Sequence, residues 1–426
     1  MNKKLTKALT LLTVFLTTIS LSAEDLLKPV NDLKLGTFSG RLQLLSMQRD
    51  GSDASIYKGN TNSTSLALKL DYLSPEFAGL TLGLSYIDSE ILASGGGNLD
   101  AGKNAGAGTL FNGGFSLLNE VWINLNLEMI GLEKTDIKVG RQVFNLELIR
   151  ADDIRQKPRS FEAVSVTSKD IENLTLTYLH AERMSDVWVN DERWKFLDIN
   201  SNPDSTMGEA EANHQTRGLE YIEGVYSKEG LTIALYDMYE HDFMNSIGTR
   251  VNLTLTDTTA ITVWYLHQNG IQKTDNKAGR NANLYSFSVT QKIGKVTVEP
   301  GFMSIAGGNG NTTDEGVRTQ IPYGYNHPMA NSLMLLSKQW AAGADTYFVK
   351  ATTKIDKTIL YVLASYTDHD NTVLAYDAYE VNVIAKQLLT ENLSACVKFG
   401  YGARSGKAGT RDSHATDTRL FITYNF

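Results

Sequence analysis

A single cysteine, Cys396, stands in 426 residues, so no disulfide framework holds this chain together. Positive charge is also short, with 40 Lys and Arg against 48 Asp and Glu, a formal net charge of -8 and a sequence pI near 5.5. That balance argues against nucleic acid, whose binding rests on Lys and Arg neutralising phosphates. Seven histidines, at 180, 214, 241, 267, 327, 369 and 414, include no pair at metal-ligand spacing. His180 or His267 could serve a hydrolase on the membrane side of a barrel, but no motif surrounds them. The acidic pair Asp368 and Asp370 is too small for Ca²⁺, which takes six to eight oxygens. No catalytic residue, cofactor or metal site is expected, and the chain is not read as an enzyme. After Leu21 no apolar run is long enough to cross a bilayer as a helix. Yet 42% of the residues are hydrophobic, too many for a disordered chain.

The first residues explain the one long apolar run. Lys3, Lys4 and Lys7 precede an apolar stretch from Leu9 to Leu21, then the small residues Ser22 and Ala23. This is the pattern of a secretory signal peptide over residues 1–23, cut after Ala23, which leaves an exported chain of residues 24–426. No Cys follows the cut, so no lipid anchor is implied.

What the exported part contains, repeatedly, is strict alternation. Leu66, Leu68, Leu70 and Tyr72 alternate with Ser65, Ala67, Lys69 and Asp71. Val121, Ile123, Leu125 and Leu127 alternate with Glu120, Trp122, Asn124, Asn126 and Glu128, and Trp122 interrupts the polar set. Leu420, Ile422, Tyr424 and Phe426 alternate with Arg419, Phe421, Thr423 and Asn425. Period two is the mark of a strand with unlike faces. A soluble sandwich alternates too, so connection lengths decide. Short links (131–134, 169–173, 227–230, 257–259, 293–295, 355–357, 388–392) alternate with long polar or Gly-rich ones (49–62, 89–116, 145–160, 182–216, 306–343). Short turns on one side and long loops on the other predict a transmembrane antiparallel β-barrel of the bacterial outer membrane. About 18 strands can be placed, beginning near Lys34, Ser65, Leu80, Glu120, Asp136, Ser160, Leu174, Gly218, Leu231, Thr249, Thr259, Asn283, Lys295, Asp345, Thr358, Tyr376, Leu393 and Thr416. Two stretches are apolar on both faces: Leu284 against Tyr285, Phe287 and Val289, and Trp264 with Leu266 against Ile261, Val263 and Tyr265. Their second face needs a cover, from loops or from neighbouring protomers of a homo-oligomer.

So wide a barrel discriminates little unless something narrows it. Asn145 to Ser160 packs Glu147, Arg150, Asp152, Asp153, Arg155, Lys157 and Arg159 into one loop, both signs together. Opposed charges there could set a transverse field across an aqueous passage, although an isolated charge run is more often a solvated surface loop. Alternation turns Lys69, Lys138, Lys350, Lys398 and Arg419 toward the lumen as wall candidates. A second inward loop could be Ala306 to Gly343, where Pro322, Tyr323, Tyr325, His327 and Pro328 lie in a polar stretch before Leu333 to Leu336.

The stretch Val139-Gly140-Arg141-Gln142, then Asp153, Arg155 and Pro158, then Ser160-Phe161-Glu162-Ala163-Val164, Ser168-Lys169 and Leu174 resembles the OprD-type substrate-specific outer-membrane porins. The resemblance implies an 18-stranded barrel whose third external loop folds inward, with basic residues along the wall as a ladder for carboxylates. Carried over, Arg150, Arg155 and Arg159 are the constriction-loop cations, Asp152 and Asp153 the opposing acids, and Arg141 joins the pore-wall basic candidates. Gln156 and Lys157 stand where the family usually has apolar residues, and Ala163 where it usually has Gly. The expected function is a water-filled, selective diffusion channel for ions and small carboxylate-bearing or zwitterionic nutrients. The alternative is a surface protein or adhesin whose loops bind an external partner. The closing Phe426 resembles the signal read by the barrel assembly machinery, which with outer-membrane lipid completes the expected partners.

Overall fold

The computed structural model describes residues 35–52, 61–95, 114–152, 155–187, 194–199, 218–241, 244–271, 281–307, 339–340, 343–369, 376–407 and 412–426. The leader, Asp153 and the aromatic stretch around Tyr323 lie outside the described residues.

The alternating stretches become strands, except that the one through Val121 stops at Asn126 and the expected continuation through Leu127 and Glu128 is a 3-10 turn, Glu128–Ile130, closed by Gly131 at φ +86°. In chain order the strands are β1 (Thr37–Gly51), β2 (Thr61–Leu73), β3 (Leu80–Gly95), β4 (Phe115–Asn126), β5 (Thr135–Gln142), β6 (Ser160–Ser168), β7 (Leu174–Ser185), β8 (Leu197–Asp198), β9 (Leu219–Lys228) and β10 (Leu231–Glu240). There follow β11 (Met244–Thr256), β12 (Thr259–Gly270), β13 (Asn281–Ile293), β14 (Val296–Gly307), β15 (Ala344–Ile355), β16 (Thr358–His369), β17 (Tyr376–Leu388), β18 (Leu393–Gly406) and β19 (Ser413–Asn425). Each pairs antiparallel with its neighbours, and β1 pairs with β19, so the sheet closes. The two-residue β8 is a spur on Arg183 and Met184, while β7 and β9 continue the ring directly. The result is a closed 18-strand antiparallel barrel. Closure removes the sheet edge that hydrocarbon could not hydrate.

The seam is made by the chain end. Gly40 N–H donates to Phe426 O at 2.7 Å and Phe426 N–H to Gly40 O at 3.0 Å. A Cβ on Gly40 would lie 2.5 Å from the Phe426 ring, so the missing side chain leaves room for the terminal aromatic. Outward positions are apolar: Leu70, Ile123, Ile222, Leu235, Val263 and Val349 are all exposed. Tyr265, Tyr285, Tyr347, Tyr366 and Tyr379 form an aromatic belt on the same face, with the Tyr265 and Tyr285 rings 5.4 Å apart. Such rings favour the membrane-water boundary. A strand of about 12 residues rising about 3.3 Å each and tilted by about 40° crosses the hydrocarbon layer.

The doubly apolar strands have their cover. Trp264, Leu266 and Leu284 point inward and are fully buried in a lumenal cluster that also holds Leu179, Tyr221, Tyr236, Met303, Ile305 and Leu363. The far end of the loop after β14 enters the lumen as well, since Trp340 packs into this cluster and Gln339 is buried.

Candidate functional site

The loop from Phe144 to Arg159 crosses the inside of the barrel. Its first half doubles back on itself: Leu146 N–H donates to Ile149 O at 2.8 Å, and Ala151 N–H to Phe144 O at 2.7 Å. Asp152 then takes φ +46°, a left-handed conformation that a short polar side chain tolerates. The fold sends Phe144, Leu148 and Ile149 into the lumenal apolar cluster of β6 to β16. Each such side chain contributes about 1.5–3 kcal/mol on burial, which holds the loop in.

Polar clamps fix both ends. At one end the Arg250 guanidinium, on β11, donates to Glu147 through Nε at 2.9 Å and through Nη2. Beside it Glu223, on β9, accepts the Glu147 backbone N–H at 2.8 Å and the Tyr221 hydroxyl. At the other end the Gln43 amide, on β1, donates to Arg155 O at 2.8 Å. The Gln156 amide donates to Ser65 Oγ and O, on β2, at 2.7 and 3.1 Å. In the ring of eighteen, β11 is the ninth strand on from β1 (β2 to β7, then β9 to β11), and so stands opposite it. The loop is therefore a strap across the full width of the lumen. Gln156, a departure from the family's usual apolar residue, is what binds it to β1 and β2.

Several expected pore-lining charges are instead pins of this strap. Arg155, Gln156, Lys157 and Arg159 are only 1%, 1%, 0% and 4% exposed. Lys157 Nζ donates to the Pro158 and Ser185 carbonyls at 2.9 and 3.4 Å. Arg159 binds Asp186 at 3.1 Å, Asp152 at 3.2 Å and the Arg150 carbonyl at 2.8 Å. Arg150 and Asp152 are half-buried. Arg141 is a correction to the wall set. It shares a face with Val139, Val121 and Glu162, the outward parity, and not with the lumenal Lys138. Because β5 ends early where the strap departs, Arg141 fills the notch: it donates to Glu162 at 2.9 Å and to Leu118 O at 3.2 Å, and stacks on Phe196 at 4.2 Å.

The remaining wall candidates point inward. Lys69 pairs with Asp71 at 3.0 Å and Lys350 with Glu299 at 2.7 Å, and Lys398 lies 5.3 Å from the Phe421 ring centre. Arg419 belongs to a tighter group. Asp417, fully buried, accepts from Arg49 Nε at 2.8 Å and from Arg419 Nε and Nη2 at 2.7 and 2.9 Å. Arg155 sits close by. Burial, and then the neighbouring Arg419 and Arg49 charges, pull its guanidinium down to about 9, which leaves it a cation at neutral pH. Three guanidiniums thus surround one carboxylate where the strap meets β1 and β19. Arg49 and Asp417 escaped the sequence reading, although alternation would have found them: Arg49 shares its face with Gln43, and Asp417 stands two residues before Arg419. The apolar inward residues Leu45, Met47 and Phe421 masked that polar face.

The comparisons with known proteins agree with this geometry. A solved structure of Pseudomonas aeruginosa OccK9 (OpdG) superposes with TM-score 0.71 at 16% identity, over 92% of this chain and 98% of that one. Acinetobacter baumannii OccAB4 gives 0.67 at 18%, over 92% and 99%. Pseudomonas aeruginosa OpdK, solved with vanillate, gives 0.65 at 14%, over 91% and 98%. Among curated proteins none matches. The family model described as outer membrane porin, OprD family, matches residues 91–335, more than half of the sequence. With the closed barrel and the strap across it, this means that the chain belongs to the OprD family, a non-enzymatic porin of the bacterial outer membrane.

Proposed function

We propose that this porin conducts small carboxylate-bearing solutes, selected by a positive potential beside its strap. The observation that carries the reading is the Arg49, Arg155, Arg419 and Asp417 group, three cations around one anion, with the next acid, Asp186, already paired to Arg159. These charges are buried against the lumen wall, where solvent screens them little, so they bias the passage even without touching the solute. The accessible cations Lys398, Lys69 and Lys350 offer contact along the wall. Arg150 and Asp152 on the strap add one cation and one acid. OpdK, similar in fold, was solved with vanillate, itself a carboxylate, which favours the same class here.

The test is the zero-current potential of single channels in a planar bilayer under a KCl gradient, repeated with potassium butyrate. An anion preference that persists with butyrate is expected. A cation preference, or no conductance at all, would overturn the reading.

A further inference from the structure

The short-turn rim of the barrel, which faces the periplasm, is not the same all the way round. From the β2–β3 turn to the β6–β7 turn its tips are apolar: Phe77, then Met129 and Ile130, then Ile171. Phe77 and Met129 are each 80% exposed, more than the lipid-facing Leu235 at 60%, so they stand clear of the wall. The turns at 227–230, 257–259, 293–295 and 355–357 end instead in polar residues or glycine: Lys228 and Glu229, Asp257 and Thr258, Gly294 and Lys295, Asp356 and Lys357. The backbone joins the apolar tips into one surface. Asn126 N–H donates to Gly79 O at 2.8 Å, tying the β2–β3 turn to the end of β4, and Lys169 N–H donates to Lys134 O at 2.9 Å, tying the next two turns together. Single exposed apolar residues are ordinary, but a contiguous patch marks a surface that something covers.

Charge disfavours two of the possible covers. The same turns expose Glu76, Glu128, Glu133, Asp170 and Glu172 against Lys134 and Lys169. A phosphate-bearing lipid surface, or a second copy presenting the same rim, would therefore meet like charge.

The barrel delivers a third cover, the chain's own start, to this side. β1 pairs with β2 from Thr37 onward, whereas its pairing toward the last strand begins only at Gly40. Below Gly40 the first strand is thus held by β2 alone. The Tyr72 hydroxyl, on β2, donates to Leu35 O at 2.8 Å, and the Phe38 and Tyr72 ring centres are 4.7 Å apart. Gly36, at φ +116°, passes so close that a Cβ would lie 2.4 Å from Leu73 O. Residues 24–34, which lead into this entry, carry four apolar side chains, Leu26, Leu27, Val30 and Leu33. Eleven residues extend up to about 36 Å, and β4 is three strands from β1, about 20 Å along a rim of tilted strands.

We propose that, once the leader is cut after Ala23, residues 24–34 fold back over the β2–β3 and β4–β5 turns and lay Leu26, Leu27, Val30 and Leu33 on Phe77, Met129 and Ile130. Lys28 and the new amino terminus meet the rim acids there. The docked segment covers the apolar arc and holds the start of β1, the strand on which closure with β19 depends. This is independent of which solute the channel passes.

The experiment is disulfide trapping in the full-length barrel carrying Cys396→Ser, so that the introduced thiols stand alone. Leu27→Cys is combined with Met129→Cys, or with Glu391→Cys, which lies in the β17–β18 turn at least as near to β1 on its other side. Leader removal is checked by mass and assembly by heat-modifiable mobility before oxidation with copper phenanthroline. The Met129→Cys pair should close about ten-fold faster than the Glu391→Cys pair, the gain of a docked over a merely tethered segment, and adding Phe77→Ser and Ile130→Ser should abolish that gain. Equal rates for the two pairs overturn the proposal, as does a gain that survives Phe77→Ser and Ile130→Ser. A bimane label on Met129→Cys in proteoliposomes of brominated phosphatidylcholine should stay unquenched, and quenching would mean that lipid covers the arc. Should Met129→Cys prevent assembly, Val30→Cys with Phe77→Cys carries the same comparison.

Discussion

Two arcs of one barrel wall differ in what dominates their inner face, polar groups on one and an apolar cluster on the other. From β17 through β19 to β2, the inward positions carry Glu380, Asn382, Lys398, Asp417, Arg419, Arg49, Gln43 and Lys69. From β7 through β16 the level of the strap's apolar half carries Leu179, Tyr221, Tyr236, Trp264, Leu266, Leu284, Met303 and Leu363, while the charged pairs Arg250 with Glu147 and Lys350 with Glu299 lie at other levels of the same wall. The backbone is the same in both, an antiparallel ladder with period two. The strap makes the difference, since Phe144, Leu148 and Ile149 lie on the second arc and exclude water from it. What rests on a lumenal face therefore decides which side chains it holds: the strap's apolar half lies on the second arc and its polar end, at Arg155 and Gln156, on the first.

The sharpest break of this contrast is a charge on each arc. Leu266→Asp would bury an unpaired carboxylate and should cost at least about 3 kcal/mol, seen as lost heat-modifiable gel mobility or early urea unfolding. Thr423→Asp, inward on the polar arc and half-buried, should leave the barrel close to the parent. Equal stability of the two variants would refute the two-arc description.

The strap's two clamps come next. Glu147→Ala strands the Arg250 guanidinium and should cost about 2 kcal/mol, with a larger and noisier open-channel current as the strap end loosens. Gln156→Ala, at the opposite clamp, removes neutral hydrogen bonds and should cost about 1 kcal/mol with a smaller rise in noise. A reversed order would show that the Gln43 and Ser65 end bears most of the load.

At the seam of the polar arc, deleting Phe426 removes the paired hydrogen bonds to Gly40, about 1 kcal/mol, and the terminal aromatic that we infer the assembly machinery reads. Periplasmic export should continue while the outer-membrane level of the barrel falls. Undiminished outer-membrane levels would remove that role. The smallest effect is expected from Lys398→Gln, an accessible lumen charge: about a two-fold loss of anion preference in the zero-current potential, with stability unchanged.

Much of this molecule is local and was therefore legible. Alternation over about ten residues reports the two faces of a strand wherever one face meets lipid, so the eighteen barrel strands were countable from Leu66 and Leu68 to Tyr424 and Phe426. Lys69, Lys138, Lys350, Lys398 and Arg419 were placed in the lumen by the same parity. Arg141, which the family resemblance adds to the wall, shares the outward face of Val139, so parity alone separates it from the lumenal lysines.

By itself the sequence determined the barrel and its in-and-out faces, because each depends on neighbours a few residues apart, whereas the inward course of the loop was implied by the family resemblance. Only the tertiary structure decided where that loop lands. Glu147 meets Arg250 across 103 positions, and Gln156 meets Ser65 across 91. Asp417 joins Arg49 across 368. No local pattern encodes partners so distant, since they become neighbours only when the sheet closes and lays its last strand beside its first. The same closure turns Arg155 from an expected pore lining into a buried charge beside Arg49, Asp417 and Arg419.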